Sequence, residues 1–481
     1  MNYQIILRLV GVLLVLDGLF MMLGIPFSIY YGDNDVITLL SCGTGLSVVG
    51  GIIVYATRKA QREIKKREGY LIVSLGWVVM SLFGALPFVI HGSIPSYTDA
   101  FFETMSGFTT TGASILNDIE SLPHGMLFWR SITQWLGGMG MIVLSLAILP
   151  ILGIGGMQLF VAEVPGPTKD KIHPRVAETA KRLWGIYVIL TFAECLLLMT
   201  GGMNFFDAVC HSFTTMATGG FSTKQASIAH WESSYIHYII TVFMFLAGVN
   251  FTLHYMAMHK KFNDVWKNEE FKFYTIITIV FSVLIGIGLF VKNYADIGTA
   301  FRDSLFQIVS LITTTGFITA DYESWGSFYK VFFFLLLFVG GCAGSTGGGI
   351  KIVRHLLLIK NSVLELRRLI HPRAVIPVRF NTRAVSPEII SHILAFFLFY
   401  ISIFAISSLV MAAIGVDFET AIGSVATSLG NVGPAIGSVG PVNNFANIPD
   451  LGKWLLSFLM MMGRLELFTV LLIFSRAFWK R

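Results

Sequence analysis

Apolar residues in this chain come in runs and do not alternate with polar ones. Stretches of ~18 residues or more recur from Ile5 onward, each long enough to cross a ~30 Å hydrocarbon core as a helix. Such runs predict a polytopic all-α membrane protein and argue against a β-barrel. Two helices, over about 5–30 and 35–57, form a first hairpin; the first lacks a cleavage signature and reads as a retained helix. From Tyr70 the pattern changes. An apolar span, a polar re-entrant segment, a second apolar span and a basic loop follow one another four times, over about 70–165, 183–260, 273–360 and 388–478.

The polar segments set the register. They read "TDAFFETMSGFTTTGAS" (98–114), "FDAVCHSFTTMATGGFS" (206–222), "RDSLFQIVSLITTTGFI" (302–318) and "ETAIGSVATSLGNVGPA" (419–435). Counted from Asp99, Asp207, Asp303 and Thr420, a small residue comes next, and a glycine stands thirteen positions on: Gly112, Gly220, Gly316 and Gly433. Glycine is 47 of 481 residues, so four matches at one offset are roughly a one-in-ten-thousand coincidence and mark a repeated unit. Asp or Thr at the origin suits a helix N-cap. About 10 residues of helix then reach ~15 Å, half the membrane.

Each segment is thus expected to dive to mid-membrane, stop, and return as extended backbone ending at a glycine. Bare carbonyls at that depth are costly unless they line a water- or ion-filled cavity. Four such loops on one axis offer rings of oxygens able to replace the hydration shell of K+, and the helix C-termini add partial negative charge. The candidate filter residues are Thr109, Thr110, Thr111 and Gly112 in the first loop, and Ala217, Thr218, Gly219 and Gly220 in the second. Thr313, Thr314, Thr315 and Gly316 follow in the third, and Gly430, Asn431, Val432 and Gly433 in the fourth. The threonine hydroxyls are a further possible ring. Gly219 and Gly220 both suit the end of loop two; the offset selects Gly220. Plain hairpin turns are the alternative, but turns need no matched offset.

Charge adds sidedness. The chain is 54% hydrophobic and 13% charged, where a soluble domain carries roughly 25% charged residues, and its mean hydropathy is +0.72. Of 34 Lys and Arg, 27 fall at Arg8 or in the segments 58–67, 169–182, 260–272, 351–383 and 475–481. The positive-inside rule makes these cytoplasmic, with both termini inside, and the opposite loops are mildly acidic. Five basic loops on one side of a membrane make nucleic acid an improbable partner. Cys42, Cys195, Cys210 and Cys342 read as lone membrane thiols without metal-ligand or disulfide spacing.

Two features lie on the inner side of the loops. "FVGGCAGSTGGGIK" (338–351) interrupts the second span of repeat three with Gly340, Gly341, Cys342, Ala343, Gly344, Ser345, Thr346, Gly347, Gly348, Gly349 and Lys351. At ~1 kcal/mol lost per glycine relative to alanine, a continuous helix holds poorly there. A flexible gate just inside the filter is the functional reading; a packing kink or close helix crossing is the plain one. A phosphate-binding loop fits poorly, since the G-x-x-x-x-G-K-[ST] pattern is missing. Arg464 lies within the last span, where a charge costs ~2.5–3.5 kcal/mol and so faces the bundle interior or a wet path. It reads as a positive barrier below the filter, bonded to the 340–349 loop, or as a structural tie to carbonyls. Pro150 is expected to kink the second span of repeat one, and Glu163 and Pro165 to lie on the inner surface. His173, His211 and His371 show no ligand spacing. With no nucleophile–base pair in an aqueous segment, the chain is not read as an enzyme.

Four unequal span–loop–span units with these glycines resemble the superfamily of K+ transporters that includes the Trk, Ktr and HKT proteins. The stretches "ILGIGGMQLF" (151–160), "AEVPGP" (162–167), "HPRVAETAK" (173–181), "GGCAGSTGGGIK" (340–351) and "GRLELFT" (463–469), with the two extra N-terminal helices, resemble the membrane subunits of Trk-type uptake systems, TrkH and TrkG. The resemblance implies K+ uptake across the bacterial inner membrane as a homodimer. It implies control by a cytosolic TrkA subunit whose RCK domains bind the nucleotide, leaving this chain with no organic cofactor. It also implies that Gly112, rather than the serine of Na+-admitting relatives, favours K+. The expected organisation is a hairpin and basic loop over 1–69, then units over 70–182, 183–272, 273–387 and 388–481, giving ten spans around a pseudo-fourfold pore. A Na+- or H+-coupled secondary transporter with broken helices is the alternative.

Overall fold

The computed structural model describes residues 1–60, 66–140, 176–294, 296–371 and 376–480. The readings placed on Pro150, 151–160, Glu163, Pro165 and His173 lie outside them. Helix α1 (Tyr3–Met22) bends into a short helix at Ile25–Tyr31, and α2 (Val36–Ala56) returns against it. The two cross on glycines. A Cβ on Gly50 would lie 2.5 Å from the Gly11 carbonyl, and one on Gly43 2.8 Å from the Gly18 carbonyl. Small residues on one face let the backbones approach closely where lipid offers no hydrophobic drive.

The first unit contains α3 (Lys66–Gly84), the half-length α4 (Tyr97–Phe108) and α5 (His124–Trp135). The second contains α6 (Val176–Thr200), α7 (Phe205–Met216), α8 (Ser234–Ala247) and α9 (Phe251–Met258). The third contains α10 (Glu269–Val291), α11 (Ile297–Ile312), α12 (Ser327–Leu336) and α13 (Ile352–Ile370). The fourth contains α14 (Pro387–Ala413), α15 (Phe418–Gly430), α16 (Asp450–Arg464) and α17 (Leu467–Phe474). Among the described residues the only strands are Arg379–Phe380 and Arg383–Ala384, paired antiparallel. Among the described residues six helical stretches are long and apolar enough to cross a membrane, and two bent pairs pass when each is taken together, so the chain is a multi-pass membrane protein.

The second helices of the second and fourth units depart from the continuous spans expected, and that of the third is interrupted where expected. Helices α8 and α9 meet at 103° and α16 and α17 at 115°. Helix α12 stops at Leu336 and α13 resumes only at Ile352, and α5 runs into a π-helical turn at Leu136–Gly140. The glycine run at 340–349 pointed to the break in the third unit. The breaks after Ala247 and Arg464 span only two or three residues of otherwise apolar sequence, too few to interrupt a run.

The half-length helices α4, α7, α11 and α15 occur as expected, but their caps lie elsewhere. Ser96, Asn204 and Asp417 cap α4, α7 and α15, accepting hydrogen bonds from the amides of Asp99, Asp207 and Thr420 at 3.3, 2.7 and 3.1 Å. The presumed caps are thus third residues of their helices. Both positions in each pair carry a cap-competent side chain, in a spacing close to that of a capping box. Asp303 is further inside: Asp296 caps α11, one turn earlier than in the other units. Repeated bonds anchor these helices, with Thr104 Oγ1 donating to the Ser81 carbonyl at 2.9 Å and Ser304 Oγ to that of Ser282 at 2.7 Å. Replacing Asn204 by alanine is expected to cost about 1 kcal/mol. A lowered thermal midpoint in detergent, recovered in part by Asn204→Ser, which keeps the capping oxygen, is the check; an unchanged midpoint contradicts the cap.

Candidate functional site: a ring of four loops

Each half-helix ends in the same backbone. Thr110, Thr218, Thr314 and Asn431 have φ of 52°, 54°, 57° and 53°, and the glycines two positions on, Gly112, Gly220, Gly316 and Gly433, have φ of 80°, 73°, 83° and 101°. The residue between them is not left-handed. Alternation of this kind turns N–H groups to one side of the chain and carbonyls to the other. The N–H side is bonded within the loop: Thr111, Gly219, Thr315 and Val432 donate to the carbonyls of Ser106, Thr214, Ser310 and Thr427 at 2.8, 2.8, 2.8 and 3.1 Å. The preceding amide bonds as well, in the first three loops completing a Schellman cap with threonine where glycine is usual and in the fourth sharing the Thr427 carbonyl. A β-branched residue held left-handed costs about 1–3 kcal/mol, and persists only where the surroundings over-determine it.

The loops close on one another in chain order. A Cβ on Gly112 would collide with the Gly219 carbonyl, one on Gly220 with that of Thr315, and one on Gly316 with that of Val432. One on Gly433 would lie 2.9 Å from the Thr111 carbonyl, which completes the circle. The candidate filter residues are therefore brought together, all of them buried except Gly112 and Gly220, which are partly exposed. In loop two Gly220, not Gly219, takes the left-handed position. Thr110 Oγ1 is buried without a hydrogen-bond partner among the described residues, while the other threonine hydroxyls of loops one and three are engaged away from the axis or with the neighbouring glycine-rich segment. Thr109 Oγ1 donates to the Met105 carbonyl at 2.6 Å and pairs with Thr111 Oγ1 at 2.8 Å; Thr313 bonds Val309 at 2.7 Å and pairs with Thr315 at 2.7 Å.

Outside the ring stands a buried ion pair that sequence reading did not single out. Arg130 Nε meets Glu103 Oε1 at 2.6 Å, with side chains 2% and 1% exposed. Glu103 accepts from Ser114 Oγ and the Ile115 amide at 2.9 Å each, while Arg130 donates to the Ser222 carbonyl at 2.9 Å and lies 3.6 Å over the Phe221 ring. The pair thereby ties the outer limbs of loops one and two. Two charges 27 positions apart on different helices are a weak sequence signal, because nothing local links them.

The glycine-rich segment 340–349 is a folded loop directly inside the ring. Its base is pinched by Gly340 N to the Ile350 carbonyl at 2.9 Å and Ile352 N to that of Gly341 at 3.1 Å. The Gly348 amide donates to Thr314 Oγ1 at 2.6 Å, and Thr346 Oγ1 to the Met216 carbonyl at 3.0 Å. The Cys342 amide bonds the Gly248 carbonyl at the α8–α9 break at 2.9 Å, and the Ala343 amide bonds Glu270 at 2.7 Å. Lys351 Nζ reaches the Gly347 carbonyl. Arg464 ends α16 and donates to the carbonyls of Thr346, Gly137 and Gly138 at 2.7, 2.7 and 2.6 Å. It is thus at a helix end, not within a continuous span, and it joins the loop to the first unit. Glu466, in a left-handed conformation at φ 58°, pairs with Arg354 at the start of α13.

The family model described as TrkH, cation transport protein, matches residues 41–481. The chain is 43% identical over 484 residues to the Trk system potassium uptake protein TrkH of Salmonella typhimurium, covering all of both chains. It is 34% identical over 482 residues to the Trk system potassium uptake protein TrkG of Escherichia coli, covering all of this chain and 99% of that one. The crystal structure of the potassium transporter TrkH from Vibrio parahaemolyticus matches with a TM-score of 0.89 at 38% identity, over the whole of both chains.

Breaking the buried pair on one side leaves an uncompensated charge, so Glu103→Gln is expected to destabilise by about 3–5 kcal/mol. Adding Arg130→Met should recover part of that loss in detergent unfolding. Simple addition of the two effects would contradict the pairing.

Proposed function

Because the chain belongs to the TrkH family of cation transport proteins, we propose that it carries K+ into the bacterial cell across the inner membrane. The ring of loops is the selectivity filter, and the 340–349 loop with Arg464 is the gate. The observation that carries this reading is the circle of glycines, each packed against the next loop's carbonyl, with the N–H groups bonded inward to the half-helices. Such a ring has carbonyl oxygens to offer a dehydrated cation, with the amides of Thr111, Gly219, Thr315 and Val432 bonded away from it. The relatives above carry potassium uptake in their names. The half-helices direct their negative ends toward the same ring.

Below the ring, a fixed guanidinium and a loop bonded to Thr314 oppose a cation leaving inward. Opening requires Arg464 to give up its bonds to three carbonyls, each worth about 1.5–3 kcal/mol for a charged donor. That is a barrier a partner's binding energy can shift. The partner is a cytosolic TrkA-type subunit that carries the nucleotide and docks on the basic inner face, and the chain works as a homodimer.

Gly112→Ser forces a side chain against the Gly219 carbonyl and is expected to lower K+ over Na+ permeability in reconstituted vesicles. An unchanged ratio counts against the filter. Deleting residues 343–348 is expected to raise K+ flux or loosen control by the partner; flux and partner response both equal to the parent would sink the gate.

A further inference from the structure

Loops two and four lack the threonine pair that the other two loops share, loop four having Gly430 and Val432 in those places. Loops one and three brace themselves with the hydroxyl pairs Thr109–Thr111 and Thr313–Thr315, whereas loop two has Ala217 and Gly219 in those places. Backbone conformation does not call for glycine at 219, since the left-handed position belongs to Gly220. A different residue does. A Cβ on Gly219 would collide with the carboxamide of Gln134, which comes from α5 of the preceding unit and is fully buried. Gln134 Nε2 donates to the Gly219 carbonyl at 2.7 Å, and its Oε1 accepts from the Phe221 amide at 3.0 Å. Both ends of one amide are spent on the two residues that flank Gly220. One turn earlier on α5, Arg130 bonds the Ser222 carbonyl and continues the contact along the same limb.

We propose that Gln134 is a positioning residue for K+ selection, its carboxamide standing in for the side chain that loop two lacks and fixing the aim of the Gly219 carbonyl. The proposal rests on the ring being the filter. The Gly219 carbonyl is the one against which Gly112 packs, so its placement sets the spacing of loops one and two. A buried glutamine with both ends bonded loses both bonds on truncation and leaves the Gly219 oxygen and the Phe221 amide free to reorient.

The test compares K+ over Na+ permeability in vesicles for the parent, Gln134→Ala, Gly219→Ser, the double variant Gln134→Ala/Gly219→Ser, and Gly112→Ser. Each of the first two single changes is expected to lower the ratio roughly tenfold, one by removing the amide and one by displacing it. The double variant should recover most of that loss, because the serine fills the vacated space; losses that simply multiply would overturn the proposal. A parent-like ratio in Gln134→Ala beside a fall in Gly112→Ser also overturns it, and leaves the filter standing. Parent-like ratios in both overturn the filter and this proposal together. Should Gln134→Ala fail to fold, the double variant decides: a selective double supports the proposal and an unselective one ends it.

Discussion

A peptide carbonyl in the middle of a bilayer needs a partner, because no water is there to supply one. Most of this molecule can be understood as two answers to that demand at two depths. In the ring, backbone donors are turned away: the amides of Thr111, Gly219, Thr315 and Val432 bond back onto the half-helices. Just inside the ring, donors are supplied. The breaks in the second helices free carbonyls at Gly137, Gly138 and Gly248, and these are met by Arg464 and the Cys342 amide. The same chemical problem is met at the first depth by turning backbone amides away and at the second by supplying donors.

Strain and symmetry follow from that arrangement. Three threonines and an asparagine occupy left-handed positions where glycine would be easier. The cost is sustained by Schellman bonds and by neighbours that leave no other room. Asn431 shows this well: its Nδ2 bonds Thr111 Oγ1 at 2.9 Å and the Met460 carbonyl at 2.8 Å, joining loop four to loop one and to α16. Fourfold backbone and unequal side chains coexist because the backbone path is dictated by the ring, while the supports behind it differ from unit to unit. A buried ion pair holds loops one and two. Loops three and four are joined by Tyr322 Oη, which donates to the Ala435 carbonyl at 2.6 Å.

How much of this was legible depended on whether the signal was local. The thirteen-residue offset is a property of one segment repeated, so the half-helices and their terminal glycines could be read from the chain. The caps could not be fixed, since Ser96 and Asp99, or Asn204 and Asp207, are equally good cap residues and only geometry chooses between them. The long glycine run at 340–349 announced its own break, whereas Gly248 to Asn250 and Leu465 to Glu466 are lost in apolar surroundings. Two adjacent glycines in loop two looked like one ambiguity. They are two separate requirements, a left-handed φ at Gly220 and a neighbour's side chain at Gly219, and the second is visible only when α5 is in place.

The most direct measurement is an anomalous-scattering map of crystals grown with Rb+ or Tl+ as K+ surrogates. A carbonyl-lined filter predicts density on the axis encircled by residues 110–112, 218–220, 314–316 and 431–433, outside the 340–349 loop. Well-ordered loops with no density on that axis, or ions bound only elsewhere in the bundle, would contradict it.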